Sequence, residues 1–444
     1  MLRKHVLIGA AACAALAFAG LTRAGVAAQT NDSTSPNVVL MDDATTAPAS
    51  APAATAPAAT VTPLNGLLGK LPGYGDTGIS ATGYVEGSWT YTAHTIGGNI
   101  LTDRVFDTKA ESLQFDAVDL AVTRATDGTK PFDIGFTIEQ LYGYDGAYIH
   151  SNGLTIQGPT HIGLAAHPKD QYDLNQANFV LSFGKIGNGL SIEGGKFDTL
   201  LGYEVIDAPV NPLFSHSFIF DEEPFTHTGL IATYNLTDPS GPTPFTATAG
   251  FTRGWDQATR DNNGSIDYTG QLKYTVTGKY SILLNVITGD ESASGPQDGW
   301  RTVIDSNGTY TYSDQLTFGF NGMYAFQAQT KNGGFGGGTG QWFGTALYAS
   351  YKLSDNFTFN ARAEWFDDMN GAAPTQLGDA NTNIPNQFYE VTLGVTIHPL
   401  PSDQYLSGLA IRPEGRWDYS DHAGFNEGTQ NDQWTAAVEA YLSF

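Results

Sequence analysis

From about Ile79 to Phe444 the chain runs in short stretches of alternating apolar and polar residues, punctuated by Gly, Asn, Asp and Pro. A period of two places every apolar member of a stretch on one face, as in a half-buried strand. Phe132, Ile134, Phe136 and Ile138 share one face of such a run, while Asp133, Thr137 and Glu139 take the other. Phe357, Phe359, Ala361, Ala363 and Trp365 alternate with Thr358, Asn360, Arg362 and Glu364. Tyr389, Val391, Leu393, Val395 and Ile397 alternate in the same way with Glu390, Thr392, Thr396 and His398. The pattern predicts strands at 79–92, 112–125, 131–142, 173–183, 189–198, 227–236, 244–253, 265–276, 279–289, 300–312, 315–327, 341–353, 356–367, 387–398, 407–419 and 433–444.

Alternation alone fits a soluble sandwich as well as a membrane barrel, so the links decide. Tight turns at Asp127-Gly128, Gly187-Asn188, Gly278, Ser313-Asp314 and Ser354-Asp355 stand between long links at 93–111, 143–172, 199–226, 290–299, 328–340 and 368–386. Outer-membrane barrels have short periplasmic turns on one rim and long external loops on the other; a sandwich has no reason to. Nowhere is there an unbroken apolar stretch long enough for a spanning helix, so a membrane location requires a closed barrel that satisfies every backbone group between strands. With 52 Gly, 21 Tyr, 25 Phe and 7 Trp but only 15% charged residues, the composition supplies turns and aromatic girdles. The expected fold is all-β: a transmembrane antiparallel β-barrel of about 16 strands over 78–444.

The N-terminus sets the compartment. Arg3 and Lys4 precede a short apolar run from Val6 to Ala19, and small residues offer cleavage after Ala24 or Ala28. Residues 1–28 therefore read as a secretory signal peptide. The lone cysteine, Cys13, falls inside it without a lipobox, which leaves the mature chain free of thiol and disulfide chemistry. Residues 29–77, rich in Ala, Pro and Thr, read as a periplasmic linker. The balance of 45 acids against 21 bases, a net charge of −24, argues against nucleic-acid binding. It suits polar loops that face divalent cations at an anionic cell surface, and equally plain solubility.

The last run ends on an aromatic. Leu442, Ala440, Val438, Ala436 and Trp434 alternate back from Phe444, and Phe444 resembles the C-terminal assembly signal of bacterial outer-membrane proteins. A more specific likeness lies in Gly195-Lys196-Phe197, the stretch Leu201 to Pro209, Asn211-Pro212, Ser215-His216-Ser217 and the stretch Glu223 to Gly229. With Gly83 to Ser88, Arg104 to Asp107, Asn285 to Gly289, the Trp365 region and Arg412 to Asp418, these resemble the OmpL-like β-barrel porin family from about residue 78 to the end. The resemblance implies a Gram-negative-type outer-membrane location and pore formation, with outer-membrane lipid and the barrel assembly machinery as partners. It supplies no transported solute.

The 199–226 link is dense in aromatics, carries Pro209, Pro212 and Pro224, and holds a clustered Asp221-Glu222-Glu223. Long structured loops tend to be functional. This one, third on its rim, is expected to fold into the lumen and narrow it, with Glu204, Asp207, Asp221, Glu222 and Glu223 favouring cations. Lys196, Arg362, Glu364, Arg412, Glu414 and Arg416 are expected lumen charges; the last three, two residues apart, share one face. They set either a transverse field or a neutralising ladder, and the ladder is the ordinary case.

Other chemistry is thin. His216 and His227 flank Asp221 and Glu222, but no spacing fixes a metal site, so no metal or cofactor is expected. Asp261-Asn262-Asn263-Gly264 lacks the distal acid of a calcium loop and reads as a turn. Ser215-His216-Ser217 are chain neighbours that cannot converge as a hydrolytic pair, and no G-x-S-x-G or HExxH is present, so no enzyme is expected. The leading function is a channel for small hydrophilic solutes, because sixteen strands leave an aqueous bore. The alternative is a non-conducting structural barrel or adhesin working through its external loops. Small residues on the wall (Gly194, Gly195, Ala247, Ala249) would also allow a homotrimer.

Overall fold

The computed structural model describes residues 77–93, 100–154, 171–291, 299–328, 339–371, 373 and 385–444, together with Leu64 and Leu68. The expected signal peptide, and the linker apart from Thr77 and those two leucines, lie outside the described residues. Sixteen strands form one closed antiparallel barrel in which each pairs with its chain neighbours and β1 closes on β16. They are β1 (Ile79–Thr92), β2 (Leu113–Arg124), β3 (Asp133–Tyr142), β4 (Tyr172–Phe183), β5 (Leu190–Asp198), β6 (Thr226–Asn235), β7 (Phe245–Thr252) and β8 (Asp267–Val276). The second half comprises β9 (Tyr280–Asp290), β10 (Trp300–Thr311), β11 (Leu316–Ala328), β12 (Thr339–Lys352), β13 (Phe357–Asp368), β14 (Asn386–Ile397), β15 (Leu409–Ser420) and β16 (Asp432–Ser443). Each runs where alternation predicts it, within two residues at either end. Among the described residues no helix is long and apolar enough to cross a membrane.

Closure is made at Gly83, whose backbone exchanges both hydrogen bonds with Phe444 (3.0 and 2.8 Å). The tightest turn, Thr277-Gly278-Lys279, requires a left-handed residue, and Gly278 supplies it at φ +71. Apolar side chains such as Leu347 (61% exposed) and Leu393 (63%) face outward, as lipid requires. Aromatic pairs ring both ends: Trp417–Trp434 and Tyr389–Tyr419 towards the long loops, Phe245–Tyr274 and Tyr310–Tyr312 towards the short turns.

The inner face departs from simple alternation. Val303, Met323, Trp342, Phe366 and Phe388 point inward and are buried. A barrel lumen has no lipid to cover such groups, so something within it must.

Candidate functional site in the lumen

Asp198 and Thr226 are paired neighbours at the ends of β5 and β6, so the chain between them leaves the sheet and returns to the same place. In between it crosses the lumen. Gln271 of β8 donates to the Leu200 carbonyl (3.3 Å) and Asn307 of β10 to that of Gly202 (2.7 Å). Further along, Glu414 of β15 accepts the N–H groups of Phe214 (2.9 Å) and Ser215 (3.2 Å). Glu364 of β13 accepts those of Phe218 (2.7 Å) and Ile219 (2.9 Å).

Local chemistry shapes the segment for this path. Asn211 folds back on Val205, donating to its carbonyl (2.6 Å) and accepting its N–H (3.0 Å), which closes a small internal loop. Ser217 then caps the one-turn helix Phe218–Asp221, its hydroxyl accepting from Phe220 N. The remaining free N–H groups at that helix start are the ones Glu364 takes, as an anion at a helix N-terminus should.

Apolar packing holds both ends. Leu201, Tyr203, Phe218 and Ile219 join the inward Val303, Met323, Trp342, Phe366 and Phe388 in one buried cluster, each full burial stabilising by about 2 kcal/mol. Ala208 and Phe220 pack on the opposite side with Tyr84, Phe106, Leu141 and Ile149. Phe106 belongs to the first long link, which also folds inward. Its φ of +70 is strained for a bulky residue, and its ring meets His216 edge-on at 5.1 Å.

A buried chain of opposite charges ties the two folded links to the wall. Arg104 pairs with Asp107 and with Asp418 (2.7 Å), Asp418 with Arg416 (2.6 Å), and Arg416 approaches Glu390 at 4.0 Å. Glu390 pairs with Arg362 (3.0 Å), and Arg362 with Glu204 (2.6 Å). The arginines also clasp the segment's backbone: Arg362 donates to the Ser215 carbonyl (2.6 Å), Arg416 to that of His216 and Arg412 to that of Asn211. Burial acts to raise the Glu204 carboxyl, but the Arg362 guanidinium and the hydrogen bonds from Ser217 outweigh it and hold it below its ordinary value. Burial pushes the His216 imidazole down to about 4, so that ring is neutral.

The residues singled out from sequence separate into groups here. Arg412, Glu414 and Arg416 do share one inward face, and with Arg362 and Glu364 they form the clasp. Lys196 stands apart, paired with Asp173 at 3.1 Å. Of the five acids of 199–226, Glu204 is neutralised by Arg362, and Asp221, Glu222 and Glu223 are buried. Burial pushes Asp221 and Glu223 well above the usual carboxylate range. Asp207 is half-buried and faces Asp119 and Glu139 of the β2–β3 wall. His216 and His227 do not converge: His216 bonds Asn211 (3.1 Å), whereas His227 bonds Thr199 (3.2 Å). Asp261 accepts the N–H groups of Asn263 and Gly264, which is a turn. Sequence reasoning gave Arg104, Asp107 and Asp418 no role as charges; their only signal was membership of the Arg104–Asp107 and Arg412–Asp418 motifs.

The model of the OmpL-like β-barrel porin-2 family matches residues 78–444. The chain belongs to that family. No curated protein matches it by sequence. Among solved structures, the fold of this porin is similar to the anion-selective porin from Comamonas acidovorans (TM-score 0.53, 14% identity, 82% of this chain and 99% of that one). It is similar also to the outer membrane channel DcaP of Acinetobacter baumannii (0.52, 12%, 82% and 97%) and to Salmonella typhi OmpF in complex with daunomycin (0.52, 12%, 83% and 99%). The porin is an outer-membrane channel for small solutes.

Proposed function

We propose that this porin passes small hydrophilic solutes through a bore narrowed by the 199–226 segment, with a preference for cations. One observation carries the reading: the segment's backbone at Phe214, Ser215, Phe218 and Ile219 is seated on Glu414 and Glu364 of the wall across the lumen. A loop so placed subtracts from the bore whatever passes through it. The cation preference rests on Asp207 of the segment, whose carboxylate meets those of Asp119 and Glu139 on the β2–β3 wall and leaves that side of the bore acidic. Planar-bilayer recording tests both parts. Deletion of 207–223 should raise single-channel conductance and shift the reversal potential in a salt gradient; unchanged values would overturn the reading.

The same proposal includes export by a cleaved leader, insertion through the Phe444 strand by the assembly machinery, and no catalytic step. A homotrimer packed through the outward Ala247 and Ala249 region belongs to it as well, and mass measurement in mild detergent tests this. Gly194 contributes less to such a face, because Phe179 and Leu230 side chains already cover it.

A further inference from the structure

We propose that Asp119, Glu139 and Asp207 form a divalent-cation site of the calcium class, which fastens the 199–226 segment to strands β2 and β3. Each residue offers one carboxylate oxygen, and the three oxygens lie within 4.8 Å of one another. Ligands of a common calcium ion stand about 2.3–2.6 Å from it, hence up to about 5 Å apart, so one ion reaches all three. An all-oxygen set with no imidazole or thiolate suits a hard cation and not zinc or copper.

The sheet fixes two of the ligands. Glu139 lies opposite Ala121 in the β2–β3 register, and Asp119, two residues from Ala121, projects from the same inner face. Asp207 comes from the segment itself, at the start of the single turn Ala208–Val210, where its side chain makes no capping bond.

A second observation points to an occupant. Asp119 is only 4% exposed, yet its Oδ2 has no hydrogen-bond partner, and neither has Asp207 Oδ1. Buried carboxylate oxygens without a donor are costly. Glu139, by contrast, accepts from Gln176 (2.6 Å) and Asn175 (3.4 Å). The neighbouring base does not fill the gap, because Lys196 is engaged by Asp173 (3.1 Å) and the Asn175 carbonyl (2.9 Å). A bound cation would satisfy the orphaned oxygens and offset the like charges together.

The inference deepens the reading of 199–226 as a lumen segment, and its test separates the two. The full-length barrel, folded in detergent and stripped with EDTA, is titrated with calcium chloride by calorimetry. Wild type should bind one equivalent more than Asp207→Asn or Asp119→Asn. Asp238→Asn, on an exposed turn at the other rim, should match wild type. No calcium binding by wild type, or equal binding by Asp207→Asn, overturns the site and leaves shared protons as the arrangement. If Asp119→Asn fails to fold, the loop variant Asp207→Asn decides. Single-channel conductance with calcium and then with EDTA should differ in wild type and not in Asp207→Asn. Calcium binding without any such difference supports the site and counts against the narrowing role of 199–226.

Discussion

Arg362 places its Nη1 2.6 Å from Glu204 Oε1, joining β13 to a segment that leaves the sheet eight strands away. Both side chains are fully buried, and the same guanidinium holds Glu390 at 3.0 Å. Arg362→Met leaves two buried carboxylates without their partner, at about 3–5 kcal/mol. Undocking of 199–226 should follow, read as faster proteolysis of that segment in a folded barrel. Adding Glu204→Gln should recover part of the loss, as expected of coupled neighbours.

Glu364 and Glu414 each take two backbone N–H groups of the segment, at separate places. Glu364→Gln should weaken docking by about 1–3 kcal/mol and speed amide exchange at Phe218 and Ile219. Glu414→Gln should do the same at Phe214 and Ser215. Uniform acceleration across both pairs in either variant would contradict this division.

Gly319 of β11 lies beneath the Tyr203 ring, which an added Cβ would overlap. Tyr203 itself stacks on Tyr348 at 4.3 Å, so the ring has little room to yield. Gly319→Ala is expected to lift this end of the segment and alter single-channel conductance while the barrel stays heat-resistant in detergent. Gly322→Ala, three residues along the same strand, where an added Cβ would make only an ordinary contact with the Ser306 carbonyl at 3.9 Å, should leave conductance unchanged.

His216 supplies a pH signature. Its ordinary value of 6.5 falls to about 4 on burial, so the undocked ring takes up a proton that the docked ring refuses. The His216 contribution to docking stability is fully present above about pH 6.5 and is lost as pH falls towards 4, at about 1.4 kcal/mol per pH unit, whereas Asp221 and Glu223, raised by burial, act in the opposite sense. Between pH 7 and 4.5 the rate of proteolysis of 199–226 in wild type, relative to His216→Gln, should increase, and parallel pH profiles for the two would contradict this.

The barrel was largely legible in the sequence because its signals are local. A strand with lipid on one side and polar lumen on the other must alternate, and a tight turn needs Gly278 or Ser354-Asp355 between two such runs. The same reasoning fails where the lumen side is not wet. Trp342-Phe343 and Trp365-Phe366 are adjacent apolar pairs, breaks in the alternation that mark where a folded link packs inside. The 199–226 segment stood out by its prolines and aromatics, but its acids did not reveal their fates: Glu204 meets Arg362 across 158 positions of chain.

What the sequence determined by itself is the approximate strand number, the strand positions and the side of each strand that meets lipid, since all three follow from period and punctuation; closure at sixteen is a fact of the tertiary structure. Only the tertiary structure decided which charges meet. Asp119, Glu139 and Asp207 come together because barrel closure and a returning loop bring distant residues within 4.8 Å. Charge pairing of this kind depends on distance in space, and no spacing along the chain encodes it.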